Sequence, residues 1–159
     1  MKFKDDHTQM PRKLLERQDA KPSMFVNDVS RLFMHRVRRE LESKGVSHGH
    51  HKLLMELFFN EGATQLQLVK QTHLTAPTVS VALGKMEAEG LVRREADTED
   101  MRAMKVYLTD KGREKVQCVR ETFCQADELL TRGIPKEETD AAMAVLRKML
   151  INLLEEEDK

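Results

Sequence analysis

Apolar positions recur along this chain with two different periods. From Ser23 to Lys44 the step is three or four: Val26, Val29, Phe33 and Val37 share one stripe. That spacing predicts a long amphipathic helix, which Gly45 ends. Leu53, Leu54, Leu57 and Phe58 form a second helical stripe that closes near Gly62. Thr64 then caps a short helix, QLQLVKQTH, with Leu66 and Val69 expected inward. His73 stands at the turn that follows, where histidine tolerates left-handed backbone geometry. Residues 1–22 are polar and charged. They read as an N-terminal extension, partly helical around Pro11 to Gln18.

The next stretch, TAPTVSVALGKMEAEGLV, alternates polar and β-branched residues at its centre, as a strand would. Helical punctuation outweighs that alternation. Thr75 suits an N-cap, and Pro77 falls in the first turn, where its missing N–H costs little. Val79, Leu83 and Met86 then align at helical spacing, and Gly90 stands where a helix-ending glycine would. A helix is expected, with Pro77, Thr78, Val81 and Lys85 outward and Ser80 at the edge.

After Gly90 the period falls to two. LVRREA and AMKVYLT predict short strands, with Met104, Val106 and Leu108 alternating against Lys105 and Tyr107. DTEDMR between them is a polar hairpin loop. Thr109 caps a long helix to about Arg132, with stripe Val116, Val119, Phe123, Ala126 and Leu130. Gly133 breaks it. Pro135 starts a last helix, with stripe Ala142, Leu146, Met149 and Leu153.

The fold class expected is mainly α with a small β-hairpin wing. A short helix, a tight turn, a second helix and a hairpin make a winged helix-turn-helix, here over residues 50–108. Residues 23–49 and 109–159 form a helical region around it. The second helix of such a unit can enter the DNA major groove. Thr78 and Ser80 can then bond base edges or phosphate, Val81 can meet a thymine methyl, and Lys85 can take a phosphate. The competing reading makes Thr78 and Ser80 first-turn capping residues and Lys85 a solvated lysine. The exposed Val81 weighs against it, because a valine there helps neither helix propensity nor packing. In the hairpin, Asp97 and Asp100 can orient Arg102 toward a narrow minor groove. An ordinary solvated ion pair is the alternative.

Composition changes this picture little. Lys plus Arg equals Asp plus Glu, 27 each among 159 residues, so a nucleic-acid partner would need a local basic patch. No apolar run approaches the ~20 residues that cross a membrane. The charged N-terminus argues against secretion, and two cysteines make no disulfide framework, so a cytoplasmic location is expected. No nucleophile–base pair, phosphate loop or carboxylate dyad stands at catalytic spacing, which argues against an enzyme and against a cofactor.

From about Ser23 to Leu154 the chain resembles the MarR family of bacterial transcription regulators. The resemblance is carried by LVKQTHLTAPTVSVALGKMEAEGLVRREADTEDMRAMKVYLTDKG. In order, this holds a short helix, a Pro-Thr-Val-Ser reading helix, an ME…GLV join, an Asp-x-Arg wing and an LT-x-K-G lead into the next helix. RGIPKEE resembles the start of the family's C-terminal helix pair. The resemblance implies a homodimer built from the first helix and the last two. It implies a pseudo-palindromic double-stranded DNA operator, with half-sites roughly 10 bp apart. It also implies a small-molecule effector bound between the dimer helices and the DNA-binding lobe, and most members repress.

By position, the resemblance places Thr78, Ser80 and Lys85 on the reading helix. Arg94 falls on the wing's first strand, and Asp100 and Arg102 on its Asp-x-Arg motif. Thr64 and Gln65 open the preceding helix, which often touches phosphate. Two cations common in relatives are missing: Val81 follows Ser80, and Met101 lies between Asp100 and Arg102. Weaker salt-dependent binding is expected, or compensation from Lys70, Arg93 or Lys105.

Several features bear on sensing. His48, His50 and His51 cluster but lack an acidic or cysteine partner at obvious zinc spacing. Cys118 and Cys124 lie six apart on one helix, about 9 Å along its axis, and cannot pair within it. They read as reduced structural cysteines, with a cross-subunit disulfide the alternative. Met24, Met34, Met55, Met143 and Met149 can line an adaptable pocket or simply pack a core. His35 and Arg36, with Arg39, can meet an anionic effector or face solvent. The leading expectation is a ligand-responsive dimeric repressor. The alternatives are a winged-helix protein-interaction module without DNA binding, or a redox- or metal-responsive regulator.

Overall fold

Gly45 and Gly90 end two helices by the same hydrogen-bond pattern. Both adopt positive φ, 73° and 70°, which costs a side-chain-free residue nothing. At the first, Gly45 N–H donates to Glu42 O and Val46 N–H to Leu41 O, at 3.0 and 2.8 Å. At the second, Gly90 N–H donates to Glu87 O and Leu91 N–H to Met86 O, at 2.9 and 2.8 Å. Orphan carbonyls are satisfied in each case, and the residue after the glycine, Val46 or Leu91, turns into the core.

A computed structural model describes residues 9–47, 49–97 and 104–157. In chain order these form α1 (Gln9–Leu15), α2 (Pro22–Ser43), α3 (His50–Phe59), β1 (Ala63–Thr64), α4 (Gln65–Thr72) and α5 (Ala76–Ala88). Then come β2 (Val92–Ala96), β3 (Met104–Leu108), α6 (Asp110–Leu130) and α7 (Lys136–Glu157). The chain divides after Cys124 into two compact units.

The core of the first unit collects the predicted apolar stripes. Leu53, Leu54 and Leu57 of α3, Val79, Leu83 and Met86 of α5, and Val106 of β3 are fully buried. Removing such apolar area from water stabilises by roughly 25 cal/mol per Å². Several positions differ from the sequence expectation. On α4 the inward residues are Leu68 and Thr72; Leu66 is 65% exposed and Val69 only half-buried. Leu66 and Leu68 are two residues apart, about 200° around a helix, so burying one turns the other outward. Phe58 and the upper α2 stripe, Val26 and Val29, are exposed in the single chain.

The hairpin is also part of a larger sheet. Its strand order is β1-β3-β2, all antiparallel, with Ala63 opposite Val106 and Arg94 also opposite Val106 on the other side. A two-residue strand is too short to reveal a period of two, so β1 was legible only as the lead into α4.

The second unit holds the end of α6, a turn through Gly133 at φ 77°, and α7. Thr139 donates from both N–H and hydroxyl to Pro135 O, fixing the first turn of α7. None of the residues of α7 is buried. Its stripe residues Leu146 and Leu153, with Leu150, Ile151 and Leu154, stand exposed.

Candidate nucleic-acid interface

The helix-turn-helix is built from two differently capped helices. Thr64 accepts at its hydroxyl from Gln67 N–H, and its own N–H donates to Gln67 Oε1 at 2.7 Å. That reciprocal pair is a capping box, which satisfies two donors at the start of α4. It also commits the Thr64 hydroxyl within the chain, and Gln65 beside it is half-buried. His73 closes α4 in left-handed geometry, φ 55° and ψ 24°, as the sequence suggested.

Thr75 holds the N-cap position of α5 with extended backbone, but its side chain caps nothing. Its hydroxyl lies 2.7 Å from that of Thr78 instead. A hydroxyl has one proton and two lone pairs, so this pair keeps capacity for an outside partner. Pro77 sits in the first turn, exposed. Burial of Val79, Ala82, Leu83 and Met86 fixes the rotation of α5. Thr78, Ser80, Val81 and Lys85 consequently face outward, with Val81 60% exposed.

The cations around this helix fall into two groups. Arg93 pairs with Glu95 and lays its guanidinium 4.7 Å from the Tyr107 ring centre. Lys105 pairs with Asp97 at 3.1 Å. Arg94 turns its Nε to Glu87 of α5 at 3.3 Å, an ion pair without hydrogen-bond geometry, and is half-buried there. It ties the wing strand to α5. Lys70 and Lys85, by contrast, are exposed and make no ion pair among the described residues. Of the three cations expected to compensate for missing arginines, two are therefore engaged with carboxylates. Asp100, Arg102 and His48 lie outside the described residues.

Two concave surfaces adjoin the helix-turn-helix. One, about 560 Å³, is lined by Ser47, His50, Pro77, Thr78, Val81, Ala82 and Lys85. In the sequence, His50 stands out only as a potential metal ligand. Nothing in local spacing could bring it beside residues thirty positions downstream. Burial pushes the His50 imidazole below its ordinary range, Glu89 opposes that shift, and Lys85 adds to it.

The other cavity, about 440 Å³, is lined by Met34, His51, Met55, Phe59, Thr72, His73 and Phe123 among others. Met55 lines this cavity, whereas His35 and Arg36 do not. Among the described residues no cluster of His, Cys, Asp or Glu could hold a metal ion. Cys118 is half-buried and Cys124 exposed, both as free thiols.

Comparison with known proteins adds three relatives. A family model described as the MarR family matches residues 44–103. A MarR-family regulator from Silicibacter pomeroyi is 30% identical, with 80% of this chain and 86% of that one covered and a TM-score of 0.63. MepR, a transcription regulator of the multidrug efflux pump MepA in Staphylococcus aureus, is 26% identical over 84% of this chain and 99% of its own, TM-score 0.75. MepR has also been solved as a complex with DNA, which aligns at 25% identity over 86% of this chain and 99% of that one, TM-score 0.67. The transcriptional regulator HosA of Escherichia coli is 28% identical over 73% of this chain and 86% of its own.

Proposed function

The chain belongs to the MarR family of transcription regulators, and from that premise we propose that it binds a pseudo-palindromic operator as a homodimer, represses, and is released by a small molecule. As a member of a regulator family it is not an enzyme. Among the described residues no helix is long and apolar enough to cross a membrane.

The observation that carries the DNA reading is the outward row of α5. Its buried face leaves Thr78, Ser80, Val81 and Lys85 no rotational freedom to point elsewhere. Lys85 has no ion pair among the described residues, so a phosphate can take its charge without breaking an existing contact. Thr75 and Pro77 set the first turn at the groove. Arg94, paired with Glu87, orients the wing, while Arg102 and Asp100 supply its minor-groove contact. Thr64 fixes the first turn of α4 through its capping box, and Gln65 beside it lies next to phosphate. The DNA complex of MepR supports this reading for a relative of the same fold.

Dimerisation is supported by the exposed apolar residues of α7 and, separately, by Phe25, Val26 and Val29 of α2. The regions 23–49 and 109–159 supply the dimer contacts, and 50–108 is the DNA-binding lobe. The cavity around Met34, Met55 and Phe123 is the effector site, its methionines adapting to the ligand shape.

Titration against duplex DNA from upstream of the protein's own gene tests this. Affinity should fall steeply with salt, and scrambled DNA should bind about a thousandfold more weakly or worse. Binding that ignores salt or sequence would overturn the regulator reading and leave a protein-interaction module.

A further inference from the structure

We propose that His73 is the hinge through which the effector cavity governs α5: a ligand filling that cavity drives residue 73 out of its left-handed geometry and displaces the first turn of α5. The proposal rests on the cavity around Met55 being the effector site and on α5 being the reading helix.

His73 belongs to both places. It lines the cavity of about 440 Å³ together with Met55 and Phe59 of α3 and Phe123 of α6. Its backbone is the turn that ends α4 and leads to α5. Among the described residues it is the one non-glycine with positive φ, 55°. That geometry brings Cβ against the following carbonyl oxygen, so residue 73 sheds strain when it leaves it. Surrounding contacts hold it there, which makes the turn a two-state element that a ligand can bias.

The chain is firm before this residue and loose after it. Thr72 is buried, and its hydroxyl donates to Leu68 O at 2.6 Å. The Gln71 side-chain N–H donates to Glu56 Oε1 at 3.2 Å, tying the last turn of α4 to α3. From His73 to Thr78 no residue is buried, and Val79 is the first that is. The Thr75 hydroxyl meets that of Thr78 instead of capping α5. Beyond the other end of α5, Gly90 O and Glu89 O accept from the Thr109 hydroxyl and from Lys111 Nζ. A change of φ and ψ at residue 73 therefore moves Thr75, Pro77 and Thr78, while the buried face from Val79 onward stays in the core.

A ligand shifts such an equilibrium only by binding its two states differently. Turning φ swings Cβ about the N–Cα bond, so the His73 ring lies against the cavity in one geometry and away from it in the other. An apolar body seated among Met34, Met55, Phe59 and Phe123 competes with the ring for that space, and strain and crowding then push residue 73 the same way.

The test fills the cavity with a tethered probe and uses the full chain with the upstream duplex. Met55→Cys, combined with Cys118→Ser and Cys124→Ser, is labelled with monobromobimane, a small flat dye. Labelling should weaken DNA binding about tenfold or more. With His73→Gly added, the same labelling should change it about twofold or less, because glycine carries neither the ring nor the strain. Labelling should also move the ¹³Cα and ¹³Cβ resonances of residue 73 toward right-handed helical values. Without label, His73→Ala should bind about five- to tenfold more weakly than His73→Gly, following their tolerance of left-handed backbone. A residue that merely lines the cavity would make those two variants equal. If labelling weakens binding equally with and without His73→Gly, this inference fails and the effector site stands. If labelling leaves binding intact in both, the effector site and the hinge fail together. If the unlabelled protein binds no duplex, the regulator reading fails with them.

Discussion

The Thr109 hydroxyl donates to Gly90 O at 2.6 Å and accepts from Gly112 N–H at 3.0 Å. One side chain thereby caps α6 and closes the last turn of α5. Its neighbours reinforce the joint: Thr109 N–H donates to Leu91 O, and Lys111 Nζ to Glu89 O at 2.8 Å. A lysine at a helix C-terminus also meets the negative end of the helix dipole. Gly112 is required for contact this close, since a Cβ there would lie 2.0 Å from Leu91 O. The far end of the proposed reading helix is thus fastened to the start of α6 by backbone carbonyls.

Thr109→Val keeps the shape and removes both hydrogen bonds. It should cost about 1–2 kcal/mol, read as a lower urea midpoint with unchanged slope. Gly112→Ala should cost more, because the obstacle is a backbone carbonyl that cannot swing away.

The inward face of α4 has its own test. Leu68→Ala should destabilise by about 2–5 kcal/mol, whereas Leu66→Ala should stay within about 0.5 kcal/mol. Equal effects in chemical denaturation would mean that α4 is rotated from the position described.

Exposed leucines on α7 should matter for association rather than for folding of the DNA-binding lobe. Leu150→Glu combined with Leu153→Glu should convert the proposed dimer to monomer in sedimentation at micromolar concentration, with most helical circular dichroism retained. An unchanged mass would place the dimer surface elsewhere.

Acid should weaken the fold through His50. Burial holds its imidazole below the ordinary value of 6.5, so the unfolded chain takes up the proton first as pH falls. Stability present above about pH 6.5 is therefore lost as pH drops toward the folded-state pKa. The urea midpoint should fall between pH 7.5 and pH 5.5 (about two units around the ordinary value), and His50→Phe should flatten that dependence. A variant with the wild-type slope would assign the effect to another group.

Local signals alone determined most of the helical architecture of this protein. Gly45, Gly90 and Gly133 end helices, Thr64 and Thr109 start them, and His73 turns the chain, all through contacts within a few residues. The rotation of α5 was legible for the same reason: Val79, Leu83 and Met86 define a face by spacing, so the outward row follows. Where spacing allowed two faces, as on the short α4 with Leu66, Leu68 and Val69, only packing against the neighbouring elements chose. Pairings distant in sequence had no local signature at all. Ala63 meets Val106, the Thr109 hydroxyl reaches back to Gly90, and His50 comes beside Pro77 and Lys85. Such contacts exist because separate elements share one core, and a pattern of i to i+4 spacings carries no information about which elements will meet.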